Sequence, residues 1–336
     1  MQSIRMPLLR TLALLVLCAP LIASGADTGR PVPDEGGPTP VTVDIFLLDL
    51  DGIDGAAQSF DANVYAEARW KDPRLADPDG KGTRTLPLTD IWEPRIQILN
   101  QQRLWSSLPE VAEVRPDGTV IMRGRVWGAF SQPLDLRQFP FDTQRIAITL
   151  VPAGFEADEV ALLPGKHSGV AESFSIADWH LADWKVTTDV TIPGPANLPE
   201  AGGIAMVLTM ERLRAYYWLK VIAPLILIVA MSWAVFWIDP KEVSTKISIT
   251  ITAMLTLIAY RFAIGASVPP VSYLTKMDWF ILLSTVLVYA SLVAVVVTAS
   301  LERRGRREIA KGVDKASRWG FPLFFLIAWV LIAAIG

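Results

Sequence analysis

The sequence predicts two unlike parts joined end to end: an all-β, immunoglobulin-like sandwich of about ten strands, then a bundle of four membrane-spanning helices. Three observations carry this reading. Charge divides sharply: residues 27–214 hold 28 Asp and Glu against 17 Lys and Arg, whereas residues 215–336 hold 6 against 12. Before residue 214, apolar and polar residues alternate in short runs, the period of half-buried strands. After it, apolar residues gather into uncharged stretches near the ~20 residues that cross ~30 Å of hydrocarbon. A charged fraction of 19% and a mean hydropathy of +0.36 are too apolar for an ordinary cytosolic enzyme and too charged for a wholly membrane-buried protein. The acidic front part repels phosphate, so no nucleic-acid partner is expected.

The chain opens with Arg5 and Arg10, the apolar run 12–22, and Ser24-Gly25-Ala26. This is the pattern of a secretory signal peptide over residues 1–26. Cys18 is the chain's one cysteine, so the mature protein is expected to have neither disulfide nor thiolate chemistry. His167 and His180 are too few for a histidine-built metal site and read as solvated residues. Residues 30–40, rich in Pro and Gly, read as a leader.

Strands are expected at 41–48, 60–70, 95–100, 119–127, 143–150, 184–191 and 204–213, with turns at Asp51-Gly-Ile-Asp-Gly55 and Asp117-Gly118. Many short strands at this spacing make an antiparallel sandwich. Asp49, Asp51 and Asp54 invite a divalent-cation reading, but Phe60 stands where an EF-hand loop would carry its glutamate. A solvated turn is the expectation, with no metal and no cofactor. No phosphate loop, paired-histidine motif or nucleophile elbow appears, so no enzyme is expected.

Residues 221–238, 279–301 and 319–336 form three uncharged spans with aromatic residues at their edges. Pro224 predicts a local kink. The fourth span, 244–266, is different, with Ser244, Ser248, Thr250, Thr252 and Thr256 along it. At ~100° per residue, with Ser248 at zero, Thr252, Leu255, Ala259 and Phe262 fall within about 40° of it, while Lys246 lies near 160°. A lipid-facing helix has no use for such a stripe, and a pore-facing helix does. The alternative is that the hydroxyls serve neighbouring helices or their own backbone. The connector 301–318 carries seven Lys and Arg against three Asp and Glu, which places it in the cytoplasm and the C-terminus outside. One helix cannot enclose a pore, so a homo-oligomer is implied.

From Gln132 the chain reads Gln-Pro-Leu-Asp-Leu-Arg-Gln-Phe-Pro-Phe-Asp-Thr-Gln-Arg-Ile. This resembles the signature loop of the pentameric ligand-gated ion channels, the Cys-loop receptor superfamily. Animal members carry a cysteine at each end of the loop. Gln132 and Ile146 stand there in this chain, as in the bacterial branch. Trp70-Lys-Asp-Pro-Arg-Leu75, Ile91-Trp-Glu-Pro94, Arg212 ahead of Pro224, and Val268-Pro-Pro-Val-Ser-Tyr273 match further motifs in order, along nearly the whole mature chain.

The resemblance implies a periplasmic ligand-binding domain (27–214) and a pore domain (215–336) in a bacterial inner membrane. Four further copies would complete a homopentamer. The lining would be Ser248, Thr252, Leu255, Ala259 and Phe262, with Leu255 and Phe262 as apolar constrictions. Coupling between the domains would fall to Asp54, Phe139, Pro140, Phe141, Asp142, Arg212, Pro269 and Tyr273, with Arg212 between Asp54 and Asp142. A proton or small-molecule agonist would bind between subunits, near Arg95, Arg125, Phe155, Trp179 and Glu200. The hairpin 192–203 has no aromatic residue for a quaternary-amine box. Glu242 and Ser244 would sit at the selectivity position. The acidic vestibule and a ring of Glu242 favour inorganic cations, although the connector length resembles that of anion-selective relatives. The rival reading is a membrane-anchored solute sensor that conducts nothing.

Overall fold

The computed structural model describes residues 29–80, 82–192, 201–239, 241–265 and 270–334. The expected signal peptide, Glu200, most of the hairpin at 192–203, and Pro269 lie outside these residues.

Alternation builds the front part. Along β1 (Thr39–Asp54), Val41, Val43, Ile45 and Leu47 point inward and are fully buried. β2 (Ser59–Lys71) follows, then β3 (Arg84–Pro87), β4 (Ile96–Ile98), β5 (Gln101–Ser106), β6 (Val111–Val114) and β7 (Thr119–Ser131). β8 (Thr143–Pro152), β9 (Val160–Pro164), β10 (Gly169–Val170), β11 (Trp179–Ile192) and β12 (Ala201–Arg212) complete the twelve strands among the described residues. One sheet runs β10-β1-β2-β7-β6-β3, with β5 also on β7 and β9 also on β1; the other runs β11-β12-β8-β4. Ile146, Ile148 and Leu150 from β8 and Met206, Leu208 and Met210 from β12 fill the core, where Phe60 and Phe130 stack at 5.1 Å.

The expected antiparallel pattern holds except at β9 and β10, which pair with β1 in parallel. Both are short, and the sequence offered no clear alternation for them. The turn expected at 51–55 falls later. Ile53 and Asp54 still pair with Phe60 and Ser59, and the Asp54 carboxylate accepts the N–H groups of Ala56 and Ala57. An Asx-type turn therefore replaces the glycine turn. Asp72 of the Trp70–Leu75 motif is buried, and its carboxylate receives the backbone and guanidinium of Arg74.

Four helices are long and apolar enough to cross a membrane: α1 (Arg214–Trp237), α2 (Val243–Ile264), α3 (Lys276–Arg303) and α4 (Arg307–Ala334). In α1 the winding loosens to a π turn over Trp218–Ile222, just before Pro224. Proline has no N–H to give the preceding turn. The carbonyls of Val221 and Lys220 accept the Tyr260 hydroxyl at 2.6 and 3.4 Å, the second being the one Pro224 leaves without an N–H, which ties α1 to α2. In a membrane-spanning helix such side-chain partners are what makes an irregularity tolerable.

Candidate functional site

The site divides between the free face of α2 and the joint where the sandwich meets the helices. On α2, Lys246, Thr250, Ala253, Leu257 and Ile264 are buried against the rest of the bundle. They cluster at about 140–200° on the wheel set at Ser248. The opposite face, with Ser248, Thr252, Leu255, Ala259 and Phe262, is exposed in the protomer, Leu255 by 62% and Phe262 by 82%. The hydroxyls on this helix also serve their own backbone. Thr252 donates to the carbonyl of Ser248 and Thr256 to that of Thr252, each at 2.8 Å. With its proton committed inward, the Thr252 oxygen presents lone pairs outward. Glu242 and Ser244 are exposed at the foot of the same helix, and Glu242 Oε2 receives the Thr245 hydroxyl at 3.3 Å.

At the joint, Arg212 is buried on the last turn of β12. Its Nε donates to Asp142 Oδ1 at 2.8 Å and its Nη2 to Oδ2 at 3.2 Å. Nη1 reaches the Tyr217 hydroxyl at 3.3 Å and lies 3.7 Å from Asp178. The guanidinium also sits 4.1 Å from the Trp179 ring and 4.9 Å from the Phe139 ring. Burial works against its charge, but the hydrogen bond and charge of Asp142 outweigh it and hold the Arg212 pKa above the ordinary arginine value.

Asp54 does not join this cluster. Its carboxylate caps the β1–β2 turn and is exposed, and Asp178 takes the expected place beside Arg212. Trp179, expected near the ligand, is buried under Arg212.

The loop that carries Phe139, Pro140, Phe141 and Asp142 grips α3 as well. The first N–H groups of a helix have no partner within it. Here those of Lys276 and Met277 donate to the carbonyls of Arg137 (3.0 Å) and Phe139 (3.2 Å), while Asp278 N–H goes to the Thr275 hydroxyl. The Tyr273 hydroxyl accepts the Leu136 N–H at 2.9 Å, and Arg137 lies over its ring at 4.9 Å. Phe139 packs edge-on to Tyr217 at 5.2 Å and Phe141 lies 6.0 Å from Trp218, so the loop touches α1 and α3 together.

The remaining ligand candidates scatter. Arg95 lies 5.9 Å over Phe155, which meets Trp92 edge-on. Arg125 is exposed elsewhere and donates to Asn63 at 3.1 Å. Sequence reasoning missed a cleft of about 420 Å³ on the open face of the larger sheet, lined by Asp44, Phe46, Tyr65, Glu67, Arg69 and His167. Glu67 there accepts from Arg123 at 2.8 Å and from Tyr65 at 3.3 Å, and Arg69 binds Asp44. Burial first, and the Glu67 charge second, push the Tyr65 hydroxyl's pKa up. The available signal was period two: Tyr65, Glu67 and Arg69 share one face of β2, opposite Arg123 and Arg125 of β7. Asp49 is spent on the backbone and hydroxyl of Ser175, whose hydroxyl bond leads in lowering its pKa. Among the described residues no cluster of three acidic, His or Cys side chains is placed to hold a metal.

A sheet-built domain thus meets a four-helix bundle of membrane-spanning length through the Phe139–Asp142 loop and through Arg212, and one face of α2 is hydroxylated and exposed in the protomer. The chain belongs to the neurotransmitter-gated ion-channel family. The family's ligand binding domain matches residues 19–213 and its transmembrane region matches residues 221–310. It is 26% identical over 315 residues to a proton-gated ion channel of Gloeobacter violaceus, covering 90% of this chain and 84% of that one. It is 27% identical over 299 residues to the human gamma-aminobutyric acid receptor subunit rho-3 (84% of this chain, 62% of that one). It is 26% identical over 276 residues to the rat glycine receptor subunit beta (77% and 54%). The chain thus spans less than two thirds of the two animal subunits. These relatives are ligand-gated channels, not enzymes.

Proposed function

We propose that the protein is a homopentameric, cation-selective channel of a bacterial inner membrane. Its domain 27–214 faces the periplasm and its domain 215–336 forms the pore. The observation that carries this reading is the bare face of α2. Five copies turned inward would line a lumen with Ser248 and Thr252 below and Leu255, Ala259 and Phe262 above. The Thr252 oxygen, whose proton is tied to the Ser248 carbonyl, offers lone pairs, which suits a passing cation. The Leu255 collar would stop ions by shedding water. Glu242 and the acidic outer domain add attraction for cations, screened beyond ~8–10 Å.

The agonist reading rests on the cleft at Glu67. Carboxylates of Asp44 and Glu67 beside Arg69 and Arg123 form a two-signed surface that suits a small zwitterion bound where a neighbouring subunit closes over it. The relatives' names include gamma-aminobutyric acid and glycine, both amino acids, and also the proton. An agonist must bind the open state better than the closed one to shift it.

Planar-bilayer recording on the full chain tests the reading, with amino acids screened at several pH values. Leu255→Ser wets the collar and should raise resting current or agonist sensitivity about tenfold or more. Absence of any current from the wild type and from Leu255→Ser would favour a non-conducting sensor.

A further inference from the structure

The helix α2 carries a buried cation in its first turn. Lys246 lies near 160° from Ser248 on the wheel. Its side chain and that of Asp314 on α4 are each 2% exposed, with Nζ and Oδ2 2.5 Å apart. The second oxygen, Asp314 Oδ1, is buried without a hydrogen-bond partner. Of the other two acids of the connector, Glu302 is half-buried beside exposed Arg307 and Glu308 is exposed beside Lys311. Asp314 alone among the three turns into the bundle. A buried ammonium–carboxylate pair stabilises a fold poorly compared with apolar residues of the same volume. Its value must be sought in where it places charge.

We propose that Asp314 is a positioning residue for ion selectivity: it withdraws the charge of Lys246 from the cytoplasmic mouth of the pore. The mouth is otherwise set by Asp239, Lys241 and Glu242, which sum to one negative charge per subunit. With Lys246 cancelled by Asp314, that charge stands. Without the Asp314 carboxylate, Lys246 cancels it instead. The ammonium acts on the mouth through protein of low dielectric if it stays, or reaches the mouth's water on its four-carbon stem if it swings out. Exposed Lys315 and half-buried Arg318, whose Nε is given to the Phe236 carbonyl, are unchanged in either case. The inference rests on the channel reading above, but it concerns the direction of a change.

Reversal potentials in a tenfold KCl gradient test it on the full chain in bilayers. Asp314→Asn should move the reversal potential toward the chloride equilibrium, the cation-over-chloride ratio falling about fivefold. Lys246→Met should leave that ratio at or above the wild-type value. The double variant Lys246→Met with Asp314→Asn should restore it. A merely structural pair would shift both single variants the same way. An unchanged Asp314→Asn potential, or single variants that fall together, overturns the proposal. Should Asp314→Asn fail to assemble, the doubly neutral protein decides: a wild-type ratio supports the proposal and a lowered one overturns it. A wild-type potential on the chloride side would defeat the cation reading alone, since the shift on Asp314→Asn is read separately.

Discussion

Two ion pairs are closed to water, one at each end of the bundle, and they are built on opposite plans. Arg212 at the outer joint uses every arm: two bonds to Asp142 and one to the Tyr217 hydroxyl, with the Trp179 and Phe139 rings 4.1 and 4.9 Å away. Asp142 is equally committed, since its Oδ2 also receives Gln144 at 2.7 Å. Among the described residues, the Lys246 ammonium at the inner end bonds only Asp314 and leaves Oδ1 of that acid unsatisfied. A joint held by this many partners fixes geometry. A pair held by one contact fixes the position of a charge and little else. The comparison teaches that burial alone does not give a charged residue its role; the number of groups that over-determine it does.

The strongest way to break this contrast is Arg212→Lys. An ammonium cannot make a forked bond to Asp142 while lying flat between Trp179 and Phe139. Losing the fork leaves one buried Asp142 oxygen short of a donor and the Tyr217 hydroxyl without its guanidinium partner, at about 1–3 kcal/mol. The expected outcome is loss of both pentamer yield on size exclusion and agonist current. A lysine channel that assembles and gates normally would show the joint to be no more constrained than the inner pair. A smaller effect follows from Tyr273→Phe, which leaves the Leu136 N–H without its partner at about 1–3 kcal/mol. Assembly should survive. Agonist response should weaken several-fold with an unchanged reversal potential, because the loop's hold on α3 loosens while the lining stays as it was. A shift in reversal potential would mean that the two ends are not separable.

Much of this was legible in the residues because one-dimensional periods carry it. Period two located β1, β2, β7, β8, β11 and β12, and a period near 3.6 separated the bare face of α2 from its buried one. Arg212 and Asp142 were legible through a motif. What escaped depends on three-dimensional closure. Asp178 reaches Arg212 because Leu213 N–H bonds the Asp178 carbonyl and draws that loop against the end of β12. The contact of Trp179 with Arg212 escaped for the same reason, since nothing local says which face of β11 meets a guanidinium. Asp54 offered the right charge at the right turn but satisfied itself on neighbouring N–H groups. The Lys246–Asp314 contact joins residues far apart in the chain through helix packing alone. The wheel could say that Lys246 faced inward to the bundle; it could not say what waited there.

A third carboxylate extends the contrast to its mildest case. Glu93 is half-buried, and among the described residues no cation pairs with it directly. Burial raises its pKa first, the charge of Arg95 offsets part of that, and Glu110 adds to it. A carboxyl raised in the folded protein binds its proton more tightly there than in the unfolded chain. Its contribution to stability is therefore complete below the ordinary glutamate pKa and declines as pH rises through the elevated value. Glu93→Gln removes that decline. The variant should melt slightly above the wild type at pH 7, and the gap should close as the pH falls toward 4. Melting curves followed by tryptophan fluorescence across that range measure it. A gap of constant size would mean that Glu93 is held by partners as firmly as Asp142. Its environment would then belong with the over-determined joint rather than with the solitary inner pair.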